Sequence, residues 1–148
     1  MALMHSPKLS RRTQYLGEYL RYFNCFAPNL SKLAILVTAR HWNCKYAWHY
    51  HEPDALAGGL SADIIAAVRD RRQPDFNEPD EAAVYDYFYE LQVNRQVSDD
   101  TYQKVLDALG VTAIAELTSL SGYYTMMAIT LNEHRVPLPA GAEAQLTE

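Results

Sequence analysis

The sequence lacks the features that mark secreted, membrane-spanning or disulfide-stabilised proteins. Its 148 residues include only two cysteines, Cys25 and Cys44, which are too few for a disulfide framework. The basic residues near the start are not followed by the apolar run of a signal peptide. The longest uncharged stretch, residues 117–132, contains Ser, Thr and Gly and is too short to span a bilayer. We therefore expect a soluble, cytoplasmic protein with no membrane partner.

Acidic residues are scarce in the first third of the chain. Residues 1–45 hold seven Lys or Arg and one acid, Glu18, whereas residues 46–148 hold six Lys or Arg and seventeen acids. This distribution, with its net charge of −5, excludes a uniformly basic nucleic-acid-binding protein and an acidic disordered chain. We predict that the basic third docks on acidic helices near 80–90 and 99–107, in its own or a neighbouring subunit, and that part of it attracts anionic substrates.

The apolar pattern predicts an all-α fold. No segment keeps the period-two alternation of a half-buried strand for long, and every strong periodicity has helical spacing. We expect one domain over residues 1–148, built from six or seven helices. Its core is predicted to cover about residues 8–136, and residues 137–148 to form a C-terminal tail.

Capping residues and breakers predict where the helices begin and end. Asn29 or Ser31 is expected to cap the second helix, and Ser61 and Ser98 to cap two later ones. The last helix, about residues 111–134, is apolar on nearly all sides. A helix with that pattern is expected to lie at the centre of the fold or between subunits.

The segment from His41 to Glu52 is the most unusual part of the sequence. Its twelve residues hold three of the five histidines, both tryptophans and one of the two cysteines. On a helix, Cys44, Trp48 and His51 share a face. The Cα atoms of Cys44 and His51 would lie about 10 Å apart, so a water or substrate atom would have to bridge them. His41 and a helix N-terminus near Cys44 predict a lowered pKa for its thiol.

Each of these residues also has a purely structural interpretation. A buried cysteine is often a small apolar core residue, and a histidine beside a tryptophan is often part of a packed aromatic pair. His49 and His51 diverge on a helix, and no cysteine or carboxylate completes a ligand set. We therefore expect no metal. The tyrosines clustered at 15–22 and 85–89 are expected to be core and interface aromatics.

Several stretches of the chain match the pattern of one protein family. They are LSKLAILVTARHWNC at 30–44, Trp48 with His51, AGGLS at 57–61, DEAAVY at 80–85, GYYT at 122–125 and the tail from Asn132 to Pro139. In them the chain resembles the carboxymuconolactone decarboxylase family, which includes the AhpD-like alkylhydroperoxidases. The resemblance covers roughly residues 8–142. It implies an AhpD-like helical bundle and a homo-oligomer, either a trimer or a hexamer, whose interface would bury the uncharged last helix.

Two of the four positions that carry the peroxidase chemistry in this family differ here. Peroxidase members have a glutamate, twelve residues later a cysteine, three later a second cysteine and four later a histidine. The corresponding residues are Lys32, Cys44, Ala47 and His51. The alanine removes the second thiol of the disulfide cycle, and the lysine reverses the charge in the proton relay. Cys25 lies outside the motif and is a poor substitute for the missing cysteine.

The resemblance therefore favours the decarboxylase branch, which needs no metal or organic cofactor. Loss of CO₂ from a small carboxylated lactone or oxo acid builds negative charge on an enolate, which a cation and an imidazole can stabilise and protonate. On this hypothesis Lys32 binds the carboxylate or enolate, His51 is the general acid/base and His41 is a second hydrogen-bond donor. The residues expected to shape a dry pocket are Trp42, Tyr46, Trp48 and Tyr124.

Two alternatives from other classes stay open. One is an AhpD-like thiol peroxidase that uses Cys44 with an external thiol and no resolving cysteine. The other is a catalytically silent oligomeric module that keeps the fold for binding. Convergence of Lys32, His51 and Cys44 within about 4–6 Å of one empty point would favour an enzyme over the silent module.

Overall fold

The computed structural model describes residues 2–147, and within that range it contains helices and no strand. A short 3-10 helix, Ala2–His5, precedes the α-helices. These are α1 (Pro7–Tyr22), α2 (Pro28–His41), α3 (Lys45–Ala57), α4 (Ala62–Arg69), α5 (Pro79–Asn94) and α6 (Asp99–Glu133). The all-α prediction is confirmed, and the number of long elements agrees with it.

The caps explain most of the helix boundaries. The hydroxyls of Ser61 and Ser98 accept hydrogen bonds from backbone amides in the first turns of α4 and α6, as predicted. The predicted cap of α2 is wrong, because the helix begins with Pro28 in its first turn after the extended residue Ala27. Proline suits that position, since its missing amide would have no partner there and its φ already matches the helix. Gly110, with φ of 84°, breaks α6 into arms of residues 99–109 and 111–133.

Helix α2 lies at the centre of the fold, packed against α3, α4, α5 and α6. Almost every residue from Leu30 to Arg40 is buried, including Thr38, whose hydroxyl donates to the carbonyl of Ala34 one turn earlier. The last helix was predicted to be central in the fold or between subunits; α6 packs against α1, α2, α3 and α5, but it buries only part of its circumference within one subunit. Ala128 is 1% exposed, whereas Val111 is 66% and Ile129 40% exposed.

Among the described residues, α6 is the one helix that is long and apolar enough to cross a membrane by length and composition. The core helix of a water-soluble protein passes the same test, and Leu117 and Leu120 of α6 are fully buried in this core. The soluble, cytoplasmic location stays a prediction.

The C-terminal tail is not separate from the core. Leu146 is 2% exposed and packs into the main hydrophobic cluster. The neighbouring carbonyl of Thr147 accepts a hydrogen bond from Arg40 Nη2 at 3.2 Å. The residues after 136 form no helix, but Leu146 extends the core beyond the predicted limit because the end of the described chain returns to α2; the single domain stays a prediction.

The basic third packs against one of the acidic helices, since α2 contacts α5, but within the described part of one subunit no ion pair joins its cations to residues 80–90 or 99–107. The ion pairs there are Lys32–Asp54, Arg69–Asp70, Arg72–Asp70 and Lys104–Asp100. Only the first involves a cation from residues 1–45, and its partner lies on α3. Docking on a neighbouring subunit stays a prediction.

Candidate functional site

The segment rich in histidine and tryptophan is divided between two helices. His41 ends α2, Asn43 turns the chain with a φ of 46°, and α3 begins after Cys44. Arg40 Nη1 donates to Asn43 Oδ1 at 2.8 Å and holds this turn. Because the turn separates His41 from α3, the side chains of this segment point into different parts of the molecule.

A cavity of about 370 Å³ lies where α1, α3 and α6 meet; we call it the His51 cavity. It is lined by Arg21, Tyr46, Ala47, Tyr50, His51, Asp54, Tyr123, Tyr124, Met127 and Leu131. Three of the residues singled out from the sequence, Tyr46, His51 and Tyr124, therefore share one cavity.

His51 is neutral at physiological pH. Burial and the positive charges of Lys32 and Arg21 lower its pKa to about 4, although Asp54 opposes the shift. Its Nδ1 is buried and has no hydrogen-bond partner among the described residues. A neutral imidazole has one N–H donor and one free ring nitrogen, so it can donate to a developing oxyanion and also accept a proton.

Tyr124 lies against His51 with the ring centroids 5.2 Å apart in a T-shaped arrangement. Its hydroxyl is also buried without a partner in the described chain, and burial raises its pKa far above the usual range. The hydroxyl therefore stays protonated and serves as a donor. Two neighbouring polar groups that lack protein partners indicate a place for a polar ligand atom or an ordered water.

Lys32 does not line the cavity. Its Nζ lies 3.1 Å from Asp54 Oδ2, and its side chain is 14% exposed whereas that of Asp54 is 60% exposed. The ammonium is thus neutralised at the rim of the cavity. The cation in the lining is Arg21, whose Nε donates to the carbonyl of Gly17 at 3.0 Å. The expected role of Lys32 in holding a substrate anion is not supported by this placement.

Cys44 is fully buried and lies outside the lining of the His51 cavity. Burial raises the pKa of its thiol, although the backbone amides of Ala47 and Tyr46 oppose the shift. The predicted lowering of this pKa is wrong, because desolvation of the thiolate outweighs the helix N-terminus here. Cys25 is an exposed free cysteine whose backbone amide donates to Glu116 Oε2 at 2.7 Å.

The remaining predicted residues lie elsewhere. Trp48 is 0% exposed in the core, and its Nε1 has no partner among the described residues. Trp42 Nε1 donates to Gln92 Oε1 at 3.2 Å, and His41 lines a different cavity. Lys32 and Cys44 therefore do not line the cavity that contains His51, and by the criterion set above this counts against an enzyme that uses all three residues.

Two charged residues of the site were missed by the sequence reasoning. Asp54 comes three residues after His51 on α3, so helical spacing places it on the neighbouring surface and could have indicated it. Arg21 comes from α1, and no local pattern connects it with α3.

In the described chain, no three residues among His, Cys, Asp and Glu are grouped as a metal would require.

The comparisons with known proteins agree with this architecture. No family model matches the chain, and no curated protein matches it. Comparison with solved structures shows that the chain has an AhpD-like helical fold. One similar structure is a crystal structure of a protein of unknown function from Agrobacterium tumefaciens, described as a candidate antioxidant defence protein AhpD. The TM-score is 0.81 over 93% of this chain and 95% of that chain, at 16% identity, a likeness that shows the fold alone.

Proposed function

We propose that the protein is a cofactor-independent lyase that removes CO₂ from a small carboxylated lactone or oxo acid in the His51 cavity. One observation carries the proposal: His51 and Tyr124 bring two neutral, unpartnered polar groups together in a cavity that also contains the cation Arg21. This combination can bind an oxygen on which negative charge develops.

The proposed reaction gives each of these groups a role. The carbon–carbon bond to the carboxylate breaks, CO₂ leaves, and the electron pair moves onto the conjugated carbonyl to form an enolate. His51 and Tyr124 donate hydrogen bonds to the enolate oxygen, and Arg21 supplies the compensating positive charge. The product carbon then takes up one proton, which comes from solvent through the ring of His51. The ion pair between Lys32 and Asp54 holds the rim without adding net charge.

His51 can be tested against a matched histidine on the same helix. We expect His51→Gln to lower kcat by about a hundredfold or more, since it removes the group that transfers the proton. His49→Gln should change kcat by less than about twofold, because His49 is absent from the cavity lining. The assay is a panel of carboxylated lactones and oxo acids with CO₂ release as the readout.

Failure of His51→Gln to affect any substrate that the wild type converts would refute this assignment. If the wild type converts no substrate in the panel but binds them, the silent binding module becomes the better interpretation. The thiol peroxidase is less well supported, because Cys44 is buried away from the cavity. Full lyase activity of Cys44→Ser would exclude a role for its thiol.

We also propose that the protein forms a homo-oligomer through α1. This helix exposes a row of large apolar side chains, with Tyr15 65%, Leu16 47% and Tyr22 70% exposed. An exposed apolar surface of this kind is typical of subunit contacts. Light scattering after gel filtration should show a trimer or hexamer for the wild type. Tyr15→Glu should shift it towards the monomer, and a monomeric wild type would contradict the proposal.

A further inference from the structure

A second cavity, of about 260 Å³, is separate from the His51 cavity and shares no lining residue with it. It lies between the end of α2, the end of α4 and the face of α5. We call it the basic cavity, because its lining includes Arg40, His41 and Arg71. The proposed lyase reaction makes no use of it.

The basic cavity has no carboxylate in its lining. The nearby Asp70 accepts from Arg69 Nε at 3.1 Å and from Arg72 Nη2 at 3.4 Å, so its charge is already shared by two other arginines. The cations that line the cavity are therefore not balanced by acids within the described chain. An uncompensated group of positive charges attracts anions.

Arg40 is held rigidly at the base of this cavity. It is 5% exposed, and its guanidinium donates to the carbonyls of Arg69 and Thr147 and to the side-chain oxygen of Asn43. All three acceptors are neutral. Burial and the nearby Arg71 lower the pKa of Arg40, although Asp70 opposes the shift, which reflects the cost of burying a cation that has no ion pair within residues 2–147. A bound anion would remove that cost.

Arg71 is placed at the mouth of the cavity by the turn that ends α4. Its φ is 57°, a left-handed conformation that glycine or asparagine usually occupies after a helix. The turn is closed by hydrogen bonds from the amides of Arg71 and Arg72 to the carbonyls of Val68 and Ala67. Arg71 is exposed, and no side-chain hydrogen bond engages its guanidinium within residues 2–147.

The rest of the lining is suited to the apolar part of a ligand. Val37, Val68 and Val93 form an aliphatic wall, and Tyr85 and Tyr89 stack with centroids 5.9 Å apart. A cavity of this size has room for one small organic molecule.

We propose that the basic cavity binds a small organic acid, with its carboxylate on Arg71 and Arg40 and its apolar body against the valines. The planar guanidinium of Arg71 offers paired donors that match the two oxygens of a carboxylate. His41 lies beside the same space and provides a further polar contact, whereas the amide of Gln92 is already engaged by Trp42, Ser121 and Thr125. The proposal does not depend on the lyase activity, since the two cavities are lined by different residues.

Trp42 provides a specific reporter for this site. Its indole N–H donates to Gln92, which lines the basic cavity. The chain has two tryptophans, so the nitrogen–proton NMR spectrum of the full-length protein should show two indole signals, and Trp42→Phe identifies the relevant one. Titration with sodium benzoate should shift the Trp42 signal in a saturable way and give a Kd.

Arg71→Asn is the principal variant, because asparagine tolerates the left-handed backbone while the charge is lost. We expect it to raise the Kd for benzoate about tenfold, as expected for loss of a charge-assisted hydrogen bond. Arg95→Asn is the matched control, because Arg95 is exposed, has a similar left-handed backbone with φ of 62° and lies outside the lining; it should change the Kd by less than about twofold. Benzamide, which is neutral and has nearly the same shape, should bind at least about tenfold more weakly than benzoate.

A second variant keeps the test decisive if Arg71→Asn folds poorly. Val93 lines the cavity but is 48% exposed, so Val93→Trp should fill the space without disturbing the core and should abolish the saturable shift. Equal affinities for benzoate and benzamide, or for the Arg71 and Arg95 variants, would overturn the proposal. Inorganic phosphate binding as tightly as benzoate would also overturn it, because the apolar wall would then contribute nothing.

Discussion

The two cavities differ in how their polar groups are held. In the His51 cavity, His51 and Tyr124 are neutral and lack partners among the described residues, and the rim charge of Lys32 is balanced by Asp54. In the basic cavity, Arg40 is permanently charged and is anchored by neutral backbone carbonyls. Neutral groups that can exchange protons are suited to chemistry, whereas fixed charges are suited to binding. On the two proposals made above, the same fold contains one site for chemistry and one for binding.

Thiol labelling tests whether Cys44 is accessible from the His51 cavity. If Cys44 opened onto the cavity, the site would be redox-active and the contrast would fail. We expect the lone thiol of Cys25→Ser, which is Cys44, to react at least about a thousandfold more slowly than the lone thiol of Cys44→Ser, because a core thiol reacts only after opening of the structure.

The measurement is the labelling rate with a chromogenic disulfide reagent in native buffer, with both variants in denaturant as the control for intrinsic reactivity. Rapid native labelling of Cys44 would contradict the description and would restore the thiol peroxidase hypothesis.

Substitution of Arg21 tests whether the cation of the His51 cavity stabilises the transition state or only binds the substrate, as the cations of the basic cavity are proposed to do. If Arg21 compensates the enolate, Arg21→Gln should lower kcat by about fiftyfold with little change in KM, because the interaction strengthens only in the transition state. Arg12→Gln, an exposed position on the same helix, is the matched control. A rise in KM at unchanged kcat would instead make Arg21 a substrate-binding cation like those of the basic cavity.

The titration of His51 predicts a pH dependence of stability. Its pKa is about 4 in the folded protein and about 6.5 in the unfolded chain, so the unfolded state binds more protons between these values. Stability therefore falls as pH decreases through this window, by about 2 kcal/mol between pH 8 and pH 5 from this group alone.

Denaturant unfolding at both pH values measures this effect, and His51→Gln should reduce the pH dependence by that amount. An unchanged dependence in the variant would show that His51 is not desolvated, and the contrast between neutral and charged cavities would weaken.

Local patterns in the sequence predicted the helices well. Serine caps at 61 and 98 form in the structure because each depends on a hydroxyl and an amide only two or three residues apart. The error at the start of α2 is also local. Pro28 favours the first turn of a helix, so the helix begins there and Asn29 and Ser31 fall inside it instead of capping it. Which apolar helix is central was not predictable in this way, because α2 and α6 have similar composition and only packing distinguishes them.

The candidate site was predictable only in part. His51 and Tyr124 were singled out, and the structure places them side by side. Arg21 was not, because it reaches the cavity from a helix whose position depends on long-range packing. Cys44 was misjudged for a related reason: its spacing from His51 on the helix says nothing about how completely the neighbouring helices exclude water from the thiol.

The residues by themselves therefore determine an all-helical chain with a histidine-rich turn and a first third that is poor in acids. These properties depend on periodicity, capping and composition, which act over a few residues. Three further features follow only from how the helices pack. Lys32 is paired with Asp54, Cys44 is buried in the core, and Arg40 and Arg71 border a second cavity. Each of these depends on desolvation and charge pairing between residues far apart in sequence, and both are determined only when the helices pack.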